Sequence, residues 1–292
     1  MTKLFLLMAF FSISAFAELK IYWSGVAGLY FNDGKHGVFF DPVFNRPSLI
    51  DIAFNTKYKL DRKLVTDALN KMDAKIVNAV FVSHSHHDHS IDTPIVSLET
   101  GAGVYGTITT RNLAMAHGVK KNKTFLIKHG DTYKFGDFKV EVVDSIHGKI
   151  FGLFEFQGGE LERATTIPIP IRDYRVGKPF TYILSHQGKK YLIQQASRYT
   201  DDLRKRIRGE DFEVIFQGLG NRRSTQDLVD NIWKLTSAKK IVPIHHDNFL
   251  FKLKSETSID YLFLINFEEF LRVSKKNNYQ VIQPMYYQQL LL

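Results

Sequence analysis

Short apolar segments separated by turn residues make up the first part of the chain. Residues 19–23, 29–31 and 37–41 have the composition of β-strands, and turns that contain Gly and Asn separate them. Apolar residues then recur at helical spacing over 60–72, and the apolar run at 76–82 is typical of a buried strand. The pattern predicts an antiparallel beginning followed by alternating helix and strand.

The second half continues in the same style. The pattern predicts helices over 109–117, from 201 and over 224–235, and strands within 134–144 and over 181–184, 191–194, 213–217 and 241–244. Each segment that carries a candidate ligand follows one of the apolar strands. Because strands hold their ends rigidly, we expect the candidate ligands to meet at one rim of a sheet.

The first residues have the pattern of an export signal. Lys3 precedes an apolar run of about a dozen residues, and the AFA sequence at 15–17 is a small-x-small cleavage site. A buried helix or a membrane anchor is the alternative, but the run is shorter than the roughly 20 residues that span a bilayer. We therefore expect a signal peptide over 1–17 with cleavage near Ala17, a single domain over 18–292, and a periplasmic or secreted protein.

Composition narrows the chemistry further. The chain of 292 residues carries a net charge of +9, which favours anionic partners such as an anionic envelope surface or an anionic substrate. The basic clusters at 120–123 and 204–208 are typical of solvated faces, and we expect no nucleic-acid binding. Cysteine is absent, so disulfides and thiolate catalysis are excluded. Any metal must be bound by histidine and carboxylate groups.

Four histidines and one aspartate occupy the segment HSHHDH at 84–89, directly after a predicted buried strand. Such crowding of polar groups is costly in a fold unless a metal binds them. Alternate residues of an extended chain point the same way, so His84 and His86 would share one centre, while a tighter turn aims Asp88 and His89 at a neighbouring one. The spacing predicts two metals; the alternatives are a solvated polar loop or adventitious metal binding.

The order H-x-H-x-D-H after an apolar strand resembles the signature of the metallo-β-lactamase superfamily. The resemblance covers most of 19–249. It implies an α/β fold, a four-layer αββα sandwich of two mostly antiparallel or mixed sheets flanked by helices. It also implies that His147 completes the ligands of the first metal and that a later histidine completes those of the second.

Two adjacent histidines, His245 and His246, are the candidates for the later position. Adjacent residues of an extended chain point to opposite sides, so only one of them can reach the metal. The family pattern implies that His245 is the ligand. We expect His87 to lie behind the ligands or at the surface. The FFDP sequence at 39–42 resembles an early strand-and-aspartate element of the family, in which Asp41 would be structural.

The chain departs from the family at the carboxylate that bridges the two metals. The family commonly has an aspartate after a strand between the third and fourth histidines, and Ala196 stands at that place here. Asp201 or Asp202 could substitute, one metal alone could bind tightly, or hydroxide alone could bridge the metals. We expect two Zn²⁺ ions, the second bound more weakly, with Mn²⁺ or Fe²⁺ as other options.

The resemblance implies a hydrolase in which a zinc-bound hydroxide attacks a phosphodiester, ester or lactone. Asp88 would be the catalytic side chain, since it binds the second metal and helps to orient the hydroxide. The spacing of the ligand segments looks more like the lactonase and phospholipase D branch than the true β-lactamases. A periplasmic β-lactamase and a non-catalytic zinc-binding protein on a degenerate scaffold remain as alternatives.

Residues 151–180 follow the third histidine and lack helical periodicity. The segment contains aromatic residues such as Phe151 and Phe154, and Tyr174 and Arg175 are the candidate substrate contacts. Apolar rings beside cations suit a small-molecule or lipid-like anionic substrate. We interpret the segment as a lid; an insertion packed on the domain's own surface is the alternative.

Overall fold

The structure is a computed structural model that describes residues 18–149 and 156–292. The expected signal peptide at 1–17 and the first part of the expected lid, with Phe151 and Phe154, lie outside the described residues. The strands are β1 (Lys20–Gly25), β2 (Gly28–Asn32), β3 (Gly37–Phe40), β4 (Lys57–Tyr58), β5 (Ala79–Phe81), β6 (Gly103–Gly106), β7 (Thr124–Leu126), β8 (Thr132–Phe135), β9 (Phe138–Ile146), β10 (Ile169–Pro170), β11 (Phe180–His186), β12 (Lys189–Gln194), β13 (Arg198–Tyr199), β14 (Val214–Gly218), β15 (Lys240–Ile244) and β16 (Gln280–Val281). The helices are α1 (Leu49–Ala53), α2 (Arg62–Lys71), α3 (His87–Ser90), α4 (Thr93–Thr100), α5 (Ile108–Ala116), α6 (Asp201–Ile207), α7 (Thr225–Asn231) and α8 (Phe267–Lys276).

Two mixed sheets form the centre of the fold. The first has the order β1-β2-β3-β5-β6-β7, and the second has the order β13-β9-β11-β12-β14-β15-β16 with β8 beside β9. Strands joined by short turns, such as β1 to β2 and β11 to β12, pair antiparallel. Strands joined through helices, such as β5 to β6 and β14 to β15, pair parallel, because a parallel pair needs a crossover connection.

The two sheets pack face to face around an aromatic core. Alternation along β2 sends Leu29 and Phe31 into this core, where the rings of Phe31 and Phe216 are 5.5 Å apart. Tyr30 lies between them in the chain and packs on the outer face with Val65 of α2. The period of two along the strand thus divides the apolar residues between an inner and an outer layer.

Helices cover both outer faces. Helices α2 and α4 pack on the first sheet, and α6, α7 and α8 pack on the second, which is the expected four-layer αββα arrangement. The helix expected over 224–235 is shorter, because α7 ends at Asn231 and a 3₁₀ turn at Trp233–Leu235 follows. None of the described helices is long and apolar enough to cross a membrane.

The polar ends of several strands meet at one rim of the sandwich. The segments that follow β5, β9, β12, β14 and β15 all contribute to the wall of a single cavity. The parallel pairing of β12, β14 and β15 explains part of this, since the carboxyl ends of parallel strands lie at the same edge. The rim is where the candidate ligands were expected.

Candidate metal centre

Six side chains that the sequence analysis selected lie in two groups at this rim. The first group is His84, His86 and His147, and the second group is Asp88, His89 and His245. Within each group, one nitrogen or oxygen atom of every member lies within 4.8 Å of the others. Each group therefore has the size and the donor atoms of a site that could hold a metal ion.

The two groups adjoin each other. The ring centroids of His84 and His89, which belong to different groups, are 3.7 Å apart. The rings of His86 and His147 in the first group are 4.6 Å apart, and those of His89 and His245 in the second are 5.0 Å apart. Because the spacing between the groups is as short as the spacing inside them, the arrangement suits a two-metal site.

The backbone of the HSHHDH segment explains how consecutive residues serve both groups. Its first half is extended after β5, up to His86 (φ −59°, ψ 153°). Its second half is the single turn of α3, which directs Asp88 and His89 towards the second group. Ser90 stabilises this turn, because its hydroxyl donates to the carbonyls of Ser85 and His86 at 2.9 and 3.0 Å.

Asp41 orients one of the ligands. It is fully buried after β3, and its carboxylate accepts hydrogen bonds from His89 Nδ1 at 2.6 Å and from the amide and hydroxyl of Ser83. Nδ1 of His89 is thereby occupied, so Nε2 is the nitrogen that remains for a metal. Burial raises the pKa of Asp41, while the charge of His89 acts in the opposite direction. Asp41 thus fixes the orientation of His89 without belonging to either group.

Several imidazole nitrogens have no partner among the described residues. His86 Nε2 donates to the carbonyl of Phe156 at 2.8 Å, which leaves its Nδ1. His84 Nε2 and His147 Nδ1, both of the first group, are buried and unpaired in the described part of the chain. An unpaired buried polar group costs about 1–3 kcal/mol. A divalent metal fits this donor set, because it accepts the lone pairs that no hydrogen bond uses.

The imidazoles of the first group are held in the neutral form that binds metals. Burial, followed by the charges of neighbouring histidines, keeps the pKa of His84 and of His86 well below the usual value. Burial also lowers the pKa of His147 to about 4. At neutral pH the first group is therefore an uncharged set of three nitrogen donors.

The second group differs because it contains a carboxylate. Asp88 Oδ2 lies 3.2 Å from His245 Nε2 and 4.0 Å from His89 Nε2. Burial raises the pKa of Asp88, but the charge of His89 and the hydrogen bond from His245 outweigh burial, and the pKa is well below the usual value. Burial lowers the pKa of His245, but its hydrogen bond to Asp88 and the charge of Asp88 outweigh it and raise that pKa. Asp88 is therefore ionised where a cation would bind.

The structure places the two adjacent histidines on opposite sides of the chain. His245 belongs to the second group and has a left-handed backbone (φ 55°), held by the hydrogen bond from its amide to the carbonyl of Val26 at 2.6 Å. His246 is fully buried between the rings of Trp23 and Phe267, at centroid distances of 5.1 and 5.2 Å. His246 is therefore a core residue that packs away from both groups.

A buried ion pair behind His245 was not predicted. Asp247 and Arg46 are both buried, and Arg46 donates to Asp247 at 2.7 Å. Asp247 also accepts hydrogen bonds from the Val26 amide and the Tyr286 hydroxyl, both at 2.9 Å. This network holds the turn that carries His245. The position of Asp247 directly after two histidines could have suggested that it has a structural role. Nothing in the sequence indicated that Arg46, 201 residues away, is its partner.

His87 is buried, so the expectation that it could lie at the surface is corrected. It lines the cavity without belonging to either group, and its ring meets that of Phe249 edge-on at 6.4 Å. Burial lowers its pKa, and both of its ring nitrogens are unpaired among residues 18–149 and 156–292. The turn of α3 is the reason, since it directs this side chain inward.

No carboxylate bridges the two groups within the described residues. Ala196 lies in the cavity wall just after β12 and is 5% exposed. Asp201 and Asp202 do not substitute, because their side chains are 83% and 66% exposed on α6 and do not line the cavity. Glu269 does line it but is paired with Arg222 at 3.1 Å. The alternative that Asp201 or Asp202 supplies the bridge is therefore wrong.

A cavity of about 830 Å³ opens over both groups. Its lining combines apolar and basic side chains. The apolar ones include Leu49, Ile52, Phe249, Leu250, Leu262 and Leu264, and the basic ones are Lys149, Arg198, Arg222 and Arg223. A pocket of this size with a few polar groups among apolar ones is typical of a site for a small molecule.

Tyr174 and Arg175, the candidate substrate contacts, do not line this cavity. Tyr174 is 2% exposed and packs in a core cluster with Val43 and Leu161. Arg175 is exposed, and its Nη1 donates to the carbonyl of Gly158 at 2.9 Å. The assignment of substrate binding to these two residues is corrected, because the ring of Tyr174 packs in the core and the guanidinium of Arg175 binds a backbone carbonyl.

Arg198 is a basic residue of the wall that the sequence analysis missed. It pairs with Ile146 across β13 and β9, and Ile146 directly precedes His147. Burial, and then the charge of Arg223, lowers the pKa of Arg198. No salt bridge to Arg198 is formed by the residues that the structure describes. The position after the predicted strand at 191–194 was the signal that could have identified it.

Comparisons with known proteins bear on the fold. No protein-family model matches the chain. A protein of Carboxydothermus hydrogenoformans named "UPF0173 metal-dependent hydrolase" is 24% identical over 172 residues, which cover 58% of this chain and 67% of that protein.

Two solved structures cover most of the chain. YhfI from Bacillus subtilis, a metallo-β-lactamase fold protein, matches with a TM-score of 0.53 and 14% identity over 92% of this chain and 98% of that one. CmlA from Streptomyces venezuelae, a diiron β-hydroxylase, matches with a TM-score of 0.56 and 10% identity over 94% of this chain and 54% of that one. The chain has the metallo-β-lactamase fold, as the sequence resemblance implied.

Proposed function

We propose that the protein is a metal-dependent hydrolase that acts on an anionic, amphipathic phosphodiester, ester or lactone. The observation that carries this proposal is the pair of adjoining donor groups beneath one open cavity. A purely structural metal site is closed, whereas a catalytic one is accessible to a substrate. The similar protein of Carboxydothermus hydrogenoformans is named a metal-dependent hydrolase, which supports the reaction class.

The residues of the two groups would hold the metals. When bound, two metal ions would lower the pKa of a water to near neutral and would polarise the substrate oxygen. Asp41 keeps His89 in the tautomer and orientation that a ligand needs. Asp88 is ionised, so it can accept a hydrogen bond from the attacking water and orient it. The fold thus provides positioning and charge at the reacting centre.

The cavity lining supports the substrate class. Arg198, Arg223 and Lys149 would bind an acidic group of the substrate, and the apolar side chains would contact its hydrocarbon part. Arg222 is excluded from this role, because its guanidinium is occupied by Glu269 and by backbone carbonyls. This combination suits substrates of the kind cleaved by the lactonase and phospholipase D branch.

We propose zinc as the metal, because imidazole nitrogens with one carboxylate are a common zinc donor set. Manganese and iron bind similar donors, and CmlA, which shares the fold, is a diiron enzyme. Elemental analysis of protein purified from medium that contains all three metals identifies the ion. A content below about half an equivalent of every transition metal, even after zinc is added, would contradict a metal-filled site.

Hydrolysis of bis(p-nitrophenyl) phosphate, a p-nitrophenyl ester and nitrocefin tests the reaction. We expect turnover of the phosphodiester or the ester that stops with chelator and returns with zinc. His84→Ala should abolish it, and His129→Ala, at an exposed histidine outside both groups, should not. Turnover of nitrocefin alone would favour a β-lactamase. Bound metal without any turnover would favour the non-catalytic alternative, which is supported by Ala196 in place of the family's aspartate.

We also propose that the protein is exported. The observation behind this is the sequence of residues 1–17, with Lys3 before an apolar run and the small residues at the AFA site. Intact-mass analysis of protein from its native host should find a chain that starts after Ala17. A mature chain that retains Met1 would contradict export by cleavage.

A further inference from the structure

Large apolar side chains are exposed around the mouth of the cavity. Phe54, Phe263 and Ile50 are 80%, 72% and 68% exposed, and Leu264 and Phe251 are 56% and 46% exposed. We call these five residues the apolar rim. Monomeric soluble proteins seldom expose large contiguous apolar patches, and such patches commonly mark a binding site.

The apolar rim is formed by two segments of the chain that meet beside the cavity. Ile50 and Phe54 belong to α1 and its end, and Phe251 and Phe263 belong to the irregular loop between β15 and α8. The amide of Leu49 donates to the carbonyl of Leu250 at 3.2 Å, and both residues line the cavity. The apolar lining of the cavity therefore continues outward into the rim.

Basic side chains border the rim. Lys252 and Lys254 follow Phe251 in the loop and are exposed, and Lys57 is exposed just after Phe54. Hydrogen bonds from Ser48 and Thr56, and to a smaller extent the charge of Lys252, lower the pKa of Asp51 in α1. Long basic side chains around apolar tips are the arrangement by which proteins bind the surface of an anionic bilayer.

The acidic residues near the apolar rim form hydrogen bonds or ion pairs with other residues. Asp51 accepts hydrogen bonds from the amide and hydroxyl of Ser48 in a capping box, and Glu256 pairs with Lys71. Asp260 hydrogen-bonds Asn248 at 3.3 Å. The hydrogen bonds to Asp51 and Asp260 come from neutral groups and do not cancel the charge of these two carboxylates. Lys57, Lys252 and Lys254 outnumber them, so the border keeps a net positive charge that complements a negatively charged surface.

We propose that the apolar rim docks the protein on an anionic lipid surface, with the cavity facing the membrane. Ile50, Phe54, Phe251, Phe263 and Leu264 enter the interface, and the bordering lysines contact lipid phosphates. A second copy of the chain is a poorer partner. Self-association through this face would bring two sets of lysines together in a protein whose net charge is already +9.

Flotation of the metal-loaded protein with vesicles tests the proposal. Vesicles of phosphatidylcholine with phosphatidylglycerol should bind the protein, salt should weaken the binding, and phosphatidylcholine alone should bind much less. The double variant Phe54→Ser, Phe263→Ser should lose at least about tenfold in affinity, because each ring no longer transfers out of water. The matched control is Leu126→Ser, an exposed apolar residue of β7 that does not line the cavity.

Each result decides the question. Failure of the unchanged protein to bind anionic vesicles overturns the proposal, and so does an equal loss of binding in the Leu126→Ser control. Sedimentation that shows a dimer which the double variant breaks would make the rim a contact between copies instead. Thermal unfolding and metal content should match in all variants, since the substituted side chains are exposed and outside both donor groups. The binding assay does not depend on hydrolysis, so it stands apart from the proposed reaction.

Discussion

The first and second donor groups adjoin at one rim, yet the fold holds them in different ways. The first group consists of three uncharged imidazoles, and the hydrogen bond that orients His86 is made to a backbone carbonyl, that of Phe156. The second group contains the carboxylate Asp88, and His89 is oriented by its hydrogen bond to a second carboxylate, Asp41. Burial therefore sets the protonation state of the first group, while carboxylates set the orientation and charge of the second.

This difference changes the expectation for the two metal affinities. None of the residues 18–149 and 156–292 supplies a carboxylate that bridges the two groups, and the lack of that negative charge should weaken the second site. Asp88 and the contact between Asp41 and His89 act in the opposite direction, because they add charge and orient a ligand. That the second site is the weaker one stays a prediction, and the relative affinity of the two sites measures which effect is larger.

Removal of a ligand from either group should have the largest effect. His84→Ala and His245→Ala should each release one metal and lower activity on the order of a thousandfold or more, as expected when residues act as a unit. His246→Phe is the matched control, since His246 packs between two aromatic rings and belongs to neither group. Metal content and turnover are the measurements. A greater loss at His246 than at His245 would show that the assignment of the ligand is wrong.

A change behind the second group should weaken it selectively. Asp41→Asn removes the carboxylate that orients His89 and should lower metal affinity at the second group by about 10-fold to 100-fold while sparing the first. Titration calorimetry on metal-free protein separates the two affinities. Asp92→Asn is the control, because Asp92 is a buried aspartate that instead accepts hydrogen bonds from the loop residues Phe44 and Asn45. Equal weakening of both sites would contradict the distinction between the groups.

Acid should release the second metal before the first. The hydrogen bond to Asp88 and the charge of Asp88 raise the pKa of His245 above its usual value, so a proton competes with the metal there as the pH falls from 7 to 5. The apparent affinity should then fall roughly tenfold per pH unit. His147, with its pKa lowered to about 4, stays unprotonated over this range, and the first group keeps its donors. Metal content after dialysis between pH 7 and pH 5 checks this order. Loss of both metals together would contradict it.

A new carboxylate at Ala196 should give the smallest effect. Ala196→Asp adds charge in the cavity wall and should tighten the second site by about tenfold, within the range seen when groups around a metal are changed. Ala196→Asn has nearly the same shape without the charge and is the control. Calorimetry that finds no difference between the two variants would mean that this position does not reach the metals.

Much of the fold followed from short-range pattern. Turn residues and alternation predicted β1 to β3, and the strands predicted within 134–144 correspond to the hairpin of β8 and β9. Helix α4 and the irregular loop between β15 and α8 were not predicted, because neither has a periodicity that separates it from neighbouring structure. Tyr174 shows the same limit, since an aromatic residue in a loop carries no signal that distinguishes core from cavity.

The sequence by itself determined the donor segment of the site. The ligands at 84–89 are close in the chain, so the alternation of an extended strand and one helical turn suffice to divide them between two groups. The tertiary structure alone decided what surrounds them. The ion pair of Arg46 with Asp247, Arg198 in the cavity wall and the apolar rim all join residues from distant segments. Such contacts depend on how whole layers pack, and no local pattern in the chain encodes them.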